Sequence, residues 1–269
     1  MRKPNFHQVY RLVEQFSPTC RAEPVYLAYS QLAKNYDHRA EYDSSLVKRV
    51  LKDFGCKKNF PVADIGAGTG KLTKQLLKQD LIVSAVEPNL NMRKFGIKNC
   101  KDFNKINWSA ATAENTGLFE KNIYAVFFGS SFNVVNHKKV FKELKRILIK
   151  NGHFCCLWNH RDLEDPLQKK VESIIKKYVK NYCYGKRRSD IIPILKKSNL
   201  FKKIKFLEKK FYHSTPKQTY IKAWKSHGTL KRQANNKFEN ILDEISKEIK
   251  KIDEGYIKVP FKTVAYYAQ

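Results

Sequence analysis

Hydrophobic and polar positions follow two rhythms along this chain. Between residues 25 and 53 the apolar positions Leu27, Leu32, Leu46, Val47, Val50 and Leu51 recur at helical spacing, and Asp43 and Ser44 stand where the second helix needs a cap. Short apolar runs then follow, Val62–Ile65, Ile82–Val86, Ala125–Phe128 and Phe154–Trp158, each bounded by turn residues. Amphipathic stretches near 71–79, 89–97 and 138–149 separate them. Strand, helix, strand, helix at this pitch predicts a mostly parallel sheet with helices on both faces. Beyond residue 160 the rhythm changes to helices near 165–180 and 235–253, a basic stretch near 186–210, and two longer runs, Ile204–Tyr212 and Ile257–Tyr267. Both runs are rich in aromatic and β-branched residues and can lie side by side as an antiparallel hairpin at the sheet edge. No repeat, low-complexity tract or flexible linker breaks the pattern. The expectation is a single domain with a helical N-terminal cap (1–55), a core (56–160), and an inserted helical cover with terminal strands (161–269).

Composition agrees with a packed α/β protein. The 269 residues are 42% hydrophobic and 13% aromatic. A chain of this length buries roughly 70–75% of its unfolded surface without help from disulfides or metals. The six cysteines (20, 56, 100, 155, 156 and 183) form no C-x-x-C pair and no metal-like spacing with histidine, so reduced thiols, a cytoplasmic location and no metal are expected. No run approaches the roughly 18 apolar residues of a membrane span. The start, Met1-Arg2-Lys3-Pro4-Asn5, lacks the apolar stretch of a secretory signal.

Charge changes the picture more. The net charge is +28, distributed as +5 over residues 1–60, +8 over 61–160 and +15 over 161–269. Such a field attracts nucleic acid or acidic partners. Most of the excess is Lys, whereas Arg, the better reader of phosphates, is scarce, so weak and non-specific affinity for nucleic acid is expected. The segment Tyr178–Phe211 interleaves Tyr178, Tyr182, Tyr184, Phe201, Phe206 and Phe211 with Lys186-Arg187-Arg188 and other cations. It reads either as a nucleic-acid face or as core aromatics with solvated lysines. The core-like spacing of the aromatics favours the second.

The most informative segment is Pro61-Val-Ala-Asp-Ile-Gly-Ala-Gly-Thr-Gly-Lys-Leu-Thr73. A buried strand runs into Gly66, Gly68 and Gly70, and a helix then begins. Glycines there allow a sharp turn and close approach to a ligand. Twenty-one residues beyond Gly66, at the end of the next strand, Glu87 is placed to accept both hydroxyls of a ribose. The pair predicts a nucleoside-cofactor site. Lys71 occupies the place of a third dinucleotide glycine, and Asp64 would repel a pyrophosphate, so a zwitterionic sulfonium ligand fits better than a dinucleotide.

These motifs, with Ala85-Val-Glu-Pro-Asn89, Met92-Arg93, Thr112-Ala-Glu114, Phe141–Leu148, Asn151-Gly152, Leu157–Asp162 and the closing Val259–Tyr266, resemble the class I S-adenosylmethionine-dependent methyltransferases, and within them the methyltransferase type 11 group. The resemblance implies a Rossmann-like, seven-stranded sheet with an antiparallel C-terminal strand. It implies S-adenosylmethionine as cofactor and transfer of its methyl group to a small-molecule acceptor. By this likeness Gly66, Ala67, Gly68 and Gly70 pack against the methionine and ribose. Glu87 holds the ribose, with Pro88 and Met92 beside the adenine and Thr112 and Ala113 at its edge. Gly129 and Ser130 lie near the methionine, Asp64 fixes the loop, and Tyr36 and Arg39 close over the cofactor. The chain departs from its relatives at Ser130-Ser-Phe-Asn-Val134, which lacks their His and Trp, and at Tyr124, where Asp is usual. His160, followed by Asn133 and His137, is the candidate general base for a methyl transfer that depends chiefly on alignment. Asn159 and Arg161 can instead fix the loop after the fifth strand. An RNA or tRNA methyltransferase, and a cofactor-binding protein without turnover, are the alternatives.

Overall fold

The computed structural model describes residues 25–269. Met1–Asn5 and Cys20, together with the side chain of Leu27, lie outside the described residues. Seven strands, β1 (Pro61–Ile65), β2 (Ile82–Val86), β3 (Ile106–Ser109), β4 (Ile123–Gly129), β5 (Leu148–Arg161), β6 (Ile204–Pro216) and β7 (Tyr256–Ala268), form one sheet in the order β3-β2-β1-β4-β5-β7-β6. β7 pairs antiparallel with both β5 and β6, while the remaining neighbours are parallel. The fold is the Rossmann-like α/β sheet with an antiparallel C-terminal strand.

Ten α-helices surround it among the described residues: α1 (Val25–Tyr36), α2 (Ser44–Asp53), α3 (Lys71–Leu77), α4 (Leu90–Asn99), α5 (His137–Ile147), α6 (Pro166–Tyr178), α7 (Ile192–Lys197), α8 (Lys217–Lys225), α9 (Gly228–Ala234) and α10 (Phe238–Lys250). Their starts follow local chemistry. The side chains of Asp43, Asn89, Asn136 and Asp165 accept from the backbone N–H of Leu46, Met92, Lys139 and Gln168 respectively, each satisfying a donor left free by the first turn.

Three apolar clusters hold these layers. α2 and α3 bury Leu46, Val50, Leu72 and Leu76 against Val62, Phe127 and Cys155 on one face of the sheet. On another, α5 and α7 bury Val140, Leu144, Ile147 and Leu195 against Phe128, Phe154 and Trp158. The third is a helical cover, in which Ile175, Trp224, Leu230, Ile241 and Ile245 pack around Val259. β1 sits between β2 and β4, so Val62, Ala63, Asp64 and Ile65 are all buried, the carboxylate included.

The hydrophobic pattern misses β3, because Ile106-Asn107-Trp108-Ser109 is a half-buried edge strand without a continuous apolar run. It also misses α7, α8 and α9, each shorter than the three turns that make periodicity visible. The two terminal runs do pair antiparallel, but α8, α9 and α10 fill the connection, and β7 enters between β5 and β6. β6 is therefore the edge. Its Lys205, Lys209 and Lys210 account for part of the basic surplus, and charged side chains on an edge discourage further strand pairing. No helix among the described residues is long and apolar enough to cross a membrane.

Candidate functional site

The loop between β1 and α3 is held by backbone and by one carboxylate. Gly66 and Ala67 donate their N–H groups to the Val86 carbonyl at 2.8 and 3.1 Å, which stitches the loop to the end of β2. Gly66, Gly68 and Gly70 all have positive φ (71°, 58° and 82°), a conformation that disfavours any side chain. Space is also short. A Cβ on Gly66 would lie 2.5 Å from the Ser131 Cβ, and one on Gly70 would lie 3.0 Å from the Cys100 sulfur. Close packing inside the protein thus requires glycine at these two positions, a reason additional to the ligand approach expected from the sequence.

Glu87 is the brace. Its Oε2 accepts from Gly68 N–H and its Oε1 from Asn89 N–H, both at 2.8 Å. An ionised carboxylate offers about four acceptor positions. Two are used, and one remains on each oxygen, the number a vicinal diol requires. Burial pushes the Glu87 carboxyl up, and the two backbone N–H groups pull it back toward the charged form.

Asp64 is fully buried, two residues before Gly66. Its Oδ2 accepts from the Thr73 hydroxyl at 2.6 Å, while its Oδ1 has no hydrogen-bond partner. Burial pushes this carboxyl up to about 7, against the pull of the Thr73 hydrogen bonds, and the nearby Glu87 raises it further. An orphaned buried carboxylate oxygen is costly unless something cationic or donating meets it. Two further buried hydroxyls are without partners, Thr69 Oγ1 in the loop and Ser109 Oγ at the end of β3. A diol acceptor, a partnerless carboxylate oxygen and a cradle of positive-φ glycines fit a nucleoside with an ammonium-bearing tail.

A chamber of about 140 Å³ opens next to this loop, over the carboxyl ends of β4 and β5. Tyr36, Arg39 and Tyr42 line it from the N-terminal cap, Lys71 and Ser130 from the loop side, and Asn159, His160 and Arg161 from the end of β5. The cover contributes Tyr184, Arg187, Arg188, Tyr220, Trp224 and His227. No Asp or Glu is among the lining residues. Arg39 locks the cap to the cover, its Nε donating to Ser226 Oγ at 2.8 Å and its Nη2 to the Ser226 carbonyl at 2.6 Å. Its guanidinium also lies 4.4 Å from the Tyr36 ring centre. The Tyr42 hydroxyl is 2.9 Å from Ser130 Oγ, and burial raises the pKa of its phenol.

His160 lines the chamber, with Nε2 2.9 Å from the Arg187 carbonyl. Burial lowers its imidazole to about 4, and the adjacent Arg188 and Arg187 charges push the same way. It is therefore neutral at pH 7, with Nε2–H donating to the carbonyl. With Nε2–H engaged by the carbonyl, Nδ1 is the ring atom left to accept a proton. Asn133 is not among the lining residues, and its Oδ1 accepts from Trp158 Nε1 at 3.1 Å, so the amide orients the indole. His137 Nε2 is 2.9 Å from the Phe132 carbonyl.

The remaining expected residues fall into two places. Met92 is buried, and its Cε would lie 3.3 Å from a Cβ on Gly68; Pro88 is exposed beside it. Thr112 is exposed and Ala113 buried in the turn after β3. Gly129 ends β4, where a Cβ would meet the Tyr42 hydroxyl at 3.0 Å. Asn159 lies within β5 and donates to the Ala40 and Glu41 carbonyls at 3.2 and 2.8 Å, so it ties the segment between α1 and α2 to the strand rather than fixing the loop after it. Sequence reasoning missed Tyr42, Tyr220, Trp224, His227 and Gly96. Gly96 lets α4 lie against the loop, since a Cβ there would come within 2.9 Å of the Gly68 carbonyl and 2.2 Å of the Trp108 ring. A lone glycine inside a helical pattern was the available signal. The others carry no local signature, because α8 and α9 escaped detection.

Comparison with known proteins agrees with this geometry. The methyltransferase domain family matches residues 63–156, which contain the glycine loop and Glu87. An uncharacterized methyltransferase of Schizosaccharomyces pombe is 23% identical over 242 residues, covering 86% of this chain and 92% of its own length. A ubiquinone/menaquinone biosynthesis C-methyltransferase of Caulobacter vibrioides is 26% identical over 163 residues, covering 54% of this chain and 64% of its own. Among solved structures, a putative type II methyltransferase from Anaeromyxobacter dehalogenans superposes with a TM-score of 0.60 at 13% identity, covering 86% of this chain and 97% of that one. At that identity the likeness is one of fold.

Proposed function

Because this chain belongs to the class I S-adenosylmethionine-dependent methyltransferases, we propose that it methylates a small molecule seated in the chamber over β4 and β5. One observation carries the proposal: the chamber adjoins the cofactor loop, with Ser130 and Lys71 in its wall. The Caulobacter relative, named for ubiquinone and menaquinone biosynthesis, supports an acceptor of small-molecule size.

The proposed division of labour follows from the residues. Gly66–Gly70 shape the cradle, Glu87 accepts the ribose hydroxyls, and Asp64 meets the ammonium of the methionine portion. Pro88, Met92, Thr112 and Ala113 border the base, and Gly129 and Ser130 border the methionine. Tyr36 and Arg39 close the cap over the site. When bound, the cofactor supplies a methyl on a positively charged sulfur, which keeps the electron pair as the methyl leaves. The chain contributes alignment and exclusion of water, and no strong base is required of it. His160 is then a positioning residue that holds the 185–188 turn through the Arg187 carbonyl. A ¹H–¹⁵N titration is expected to show its imidazole neutral down to about pH 4. Titration near the ordinary value of about 6.5 would return it to the role of base. Arg187 and Arg188 line the chamber, which favours a small acceptor there over an RNA strand on the outer face. The cysteine usage suits a cytoplasmic protein.

Calorimetry tests the cofactor assignment. S-adenosylhomocysteine is expected to bind and NADH not to bind. The pH dependence follows from Asp64, raised to about 7 in the free protein. A cationic ammonium favours the ionised carboxylate, so binding releases a proton, and affinity falls as pH drops through 7. The loss approaches ~10-fold per pH unit below that value. NADH binding without any response to S-adenosylhomocysteine would overturn the assignment.

A further inference from the structure

Five cationic side chains, Arg39, Lys71, Arg161, Arg187 and Arg188, reach a chamber that no carboxylate among the described residues lines. Two have acidic partners just behind the wall: Arg161 pairs with Glu172 at 3.2 Å, and Lys71 with Asp37 at 3.9 Å. Arg39 is held by the Ser226 hydroxyl and carbonyl and by the Tyr36 ring, all neutral. Arg188 donates to the Arg161 carbonyl at 3.0 Å and lies 4.5 Å from the Tyr184 ring centre; the one carboxylate that acts on it, Glu172, is already paired with Arg161. Arg187 has neither an ion pair nor a hydrogen bond from its guanidinium among the described residues. The chamber therefore carries an excess of positive charge: Arg39 and Arg187 have no carboxylate partner among the described residues, and Arg188 shares Glu172 with Arg161.

The three fall on two sides. Arg39 comes from the cap, beside Lys71, which directly follows Gly70, on the cofactor side. Arg187 and Arg188 come from the turn at 185–188, which hangs over the end of β5 through the contact with His160. The cofactor's own carboxylate needs one cationic side, which leaves the other for a second anion. Tyr184 and Trp224 stand beside that second group, and the Arg161 guanidinium lies 4.7 Å from the Trp224 ring centre.

We propose that the acceptor is itself an anion, a flat or apolar body bearing a carboxylate or phosphate that Arg187 and Arg188 hold while Tyr184 and Trp224 flank the body. The inference rests on the methyltransferase reading above and specifies its acceptor. A guanidinium fork matches two oxygens of either acid at once, which orients the acceptor as well as binding it. The same assignment gives the Lys186-Arg187-Arg188 motif an inward role. Its two arginines serve a small acid in the chamber, and the general basic surface belongs to the lysines.

The test uses the full chain already saturated with S-adenosylhomocysteine, so that the cofactor's carboxylate is in place. Benzoate, phenyl phosphate and neutral benzamide are titrated by calorimetry at roughly 150 mM salt, where exposed charges are screened. At least one of the two anions is expected to bind ~10-fold or more tightly than benzamide, and the better of them identifies the acid. Arg187→Gln is expected to remove that preference while leaving S-adenosylhomocysteine affinity unchanged, and Arg188→Gln tests the grip from a second residue. Lys180→Gln, an exposed cation outside the chamber, is expected to change nothing. Equal affinity for benzamide and both anions, or an anion preference that survives both arginine changes, overturns the proposal. So does an equal loss in Lys180→Gln. All three outcomes leave the cofactor assignment standing, whereas wild-type protein that fails to bind S-adenosylhomocysteine overturns the underlying reading instead.

Discussion

Glu87→Ala is expected to weaken S-adenosylhomocysteine binding by ~1.5–3 kcal/mol, about 10- to 150-fold. Two losses combine. The ribose hydroxyls lose a charged acceptor, and the N–H groups of Gly68 and Asn89 lose the oxygens that hold them at 2.8 Å. The second loss loosens the loop before any ligand arrives, so the cofactor must pay for ordering it. Glu87→Gln separates charge from shape. The amide offers one acceptor oxygen to two backbone donors and turns an NH₂ toward the other, so affinity is expected to fall nearly as far. Calorimetry measures the affinity. Thermal unfolding of the free protein is expected to move much less, because the buried carboxyl already bears a desolvation cost that either change removes. Unchanged affinity in Glu87→Ala would mean that the carboxylate neither receives the ribose nor holds the loop in the form the cofactor needs.

Gly66→Ala is expected to be the most destabilising single change in the cradle, at about 2–5 kcal/mol by chemical denaturation. Part is conformational: φ is 71°, and an L side chain in the left-handed region costs ~1–2 kcal/mol. The rest is steric, since the new methyl would lie 2.5 Å from the Ser131 Cβ, and overpacking of this kind costs ~1–3 kcal/mol. Two companions separate the parts. Gly117→Ala has nearly the same φ, 69°, but nothing within 4 Å of the new atom, so it is expected to lose only the conformational share. Measured against Ser131→Gly alone, which loses the Ser131 hydroxyl's bond to the Ile65 carbonyl at 2.6 Å, adding Gly66→Ala is expected to cost only the conformational share. A loss in Gly66→Ala no greater than in Gly117→Ala would show that the loop yields around Ser131. S-adenosylhomocysteine affinity is expected to fall in parallel, because the same movement displaces Gly68 from Glu87.

The two changes probe the part of the molecule that the chain's order makes legible. Gly66, Gly68, Gly70 and Glu87 lie within 22 residues, on a strand end, a turn and the next strand end. In parallel neighbours joined by one helix, those ends must lie side by side, as Ile65 and Val86 do. Spacing along the chain is therefore spacing in the fold, and β1, α3 and β2 could be drawn, and Glu87 placed beside the glycine loop, from the sequence alone.

The chamber could not be drawn in that way, for a physical reason. Its residues come from α1, the ends of β4 and β5, the turn at 185–188, and α8 and α9, segments separated by up to about two hundred positions. Which side chains meet there depends on how the cover packs through Trp224, Leu230 and Ile241, and on the Arg39–Ser226 contact that pins the cap to it. His160 shows the difference most clearly. Its place at the end of β5 was legible, but the downward push on its pKa was not, because that follows from burial and from Arg187 and Arg188 brought beside it by packing. The arginines themselves looked like a surface motif, since a run of charge along a chain carries no sign of which way it will face. Local order thus determined the cofactor half, where neighbours in sequence are neighbours in space; tertiary packing decided the acceptor half, where charge acquires its meaning only from what surrounds it.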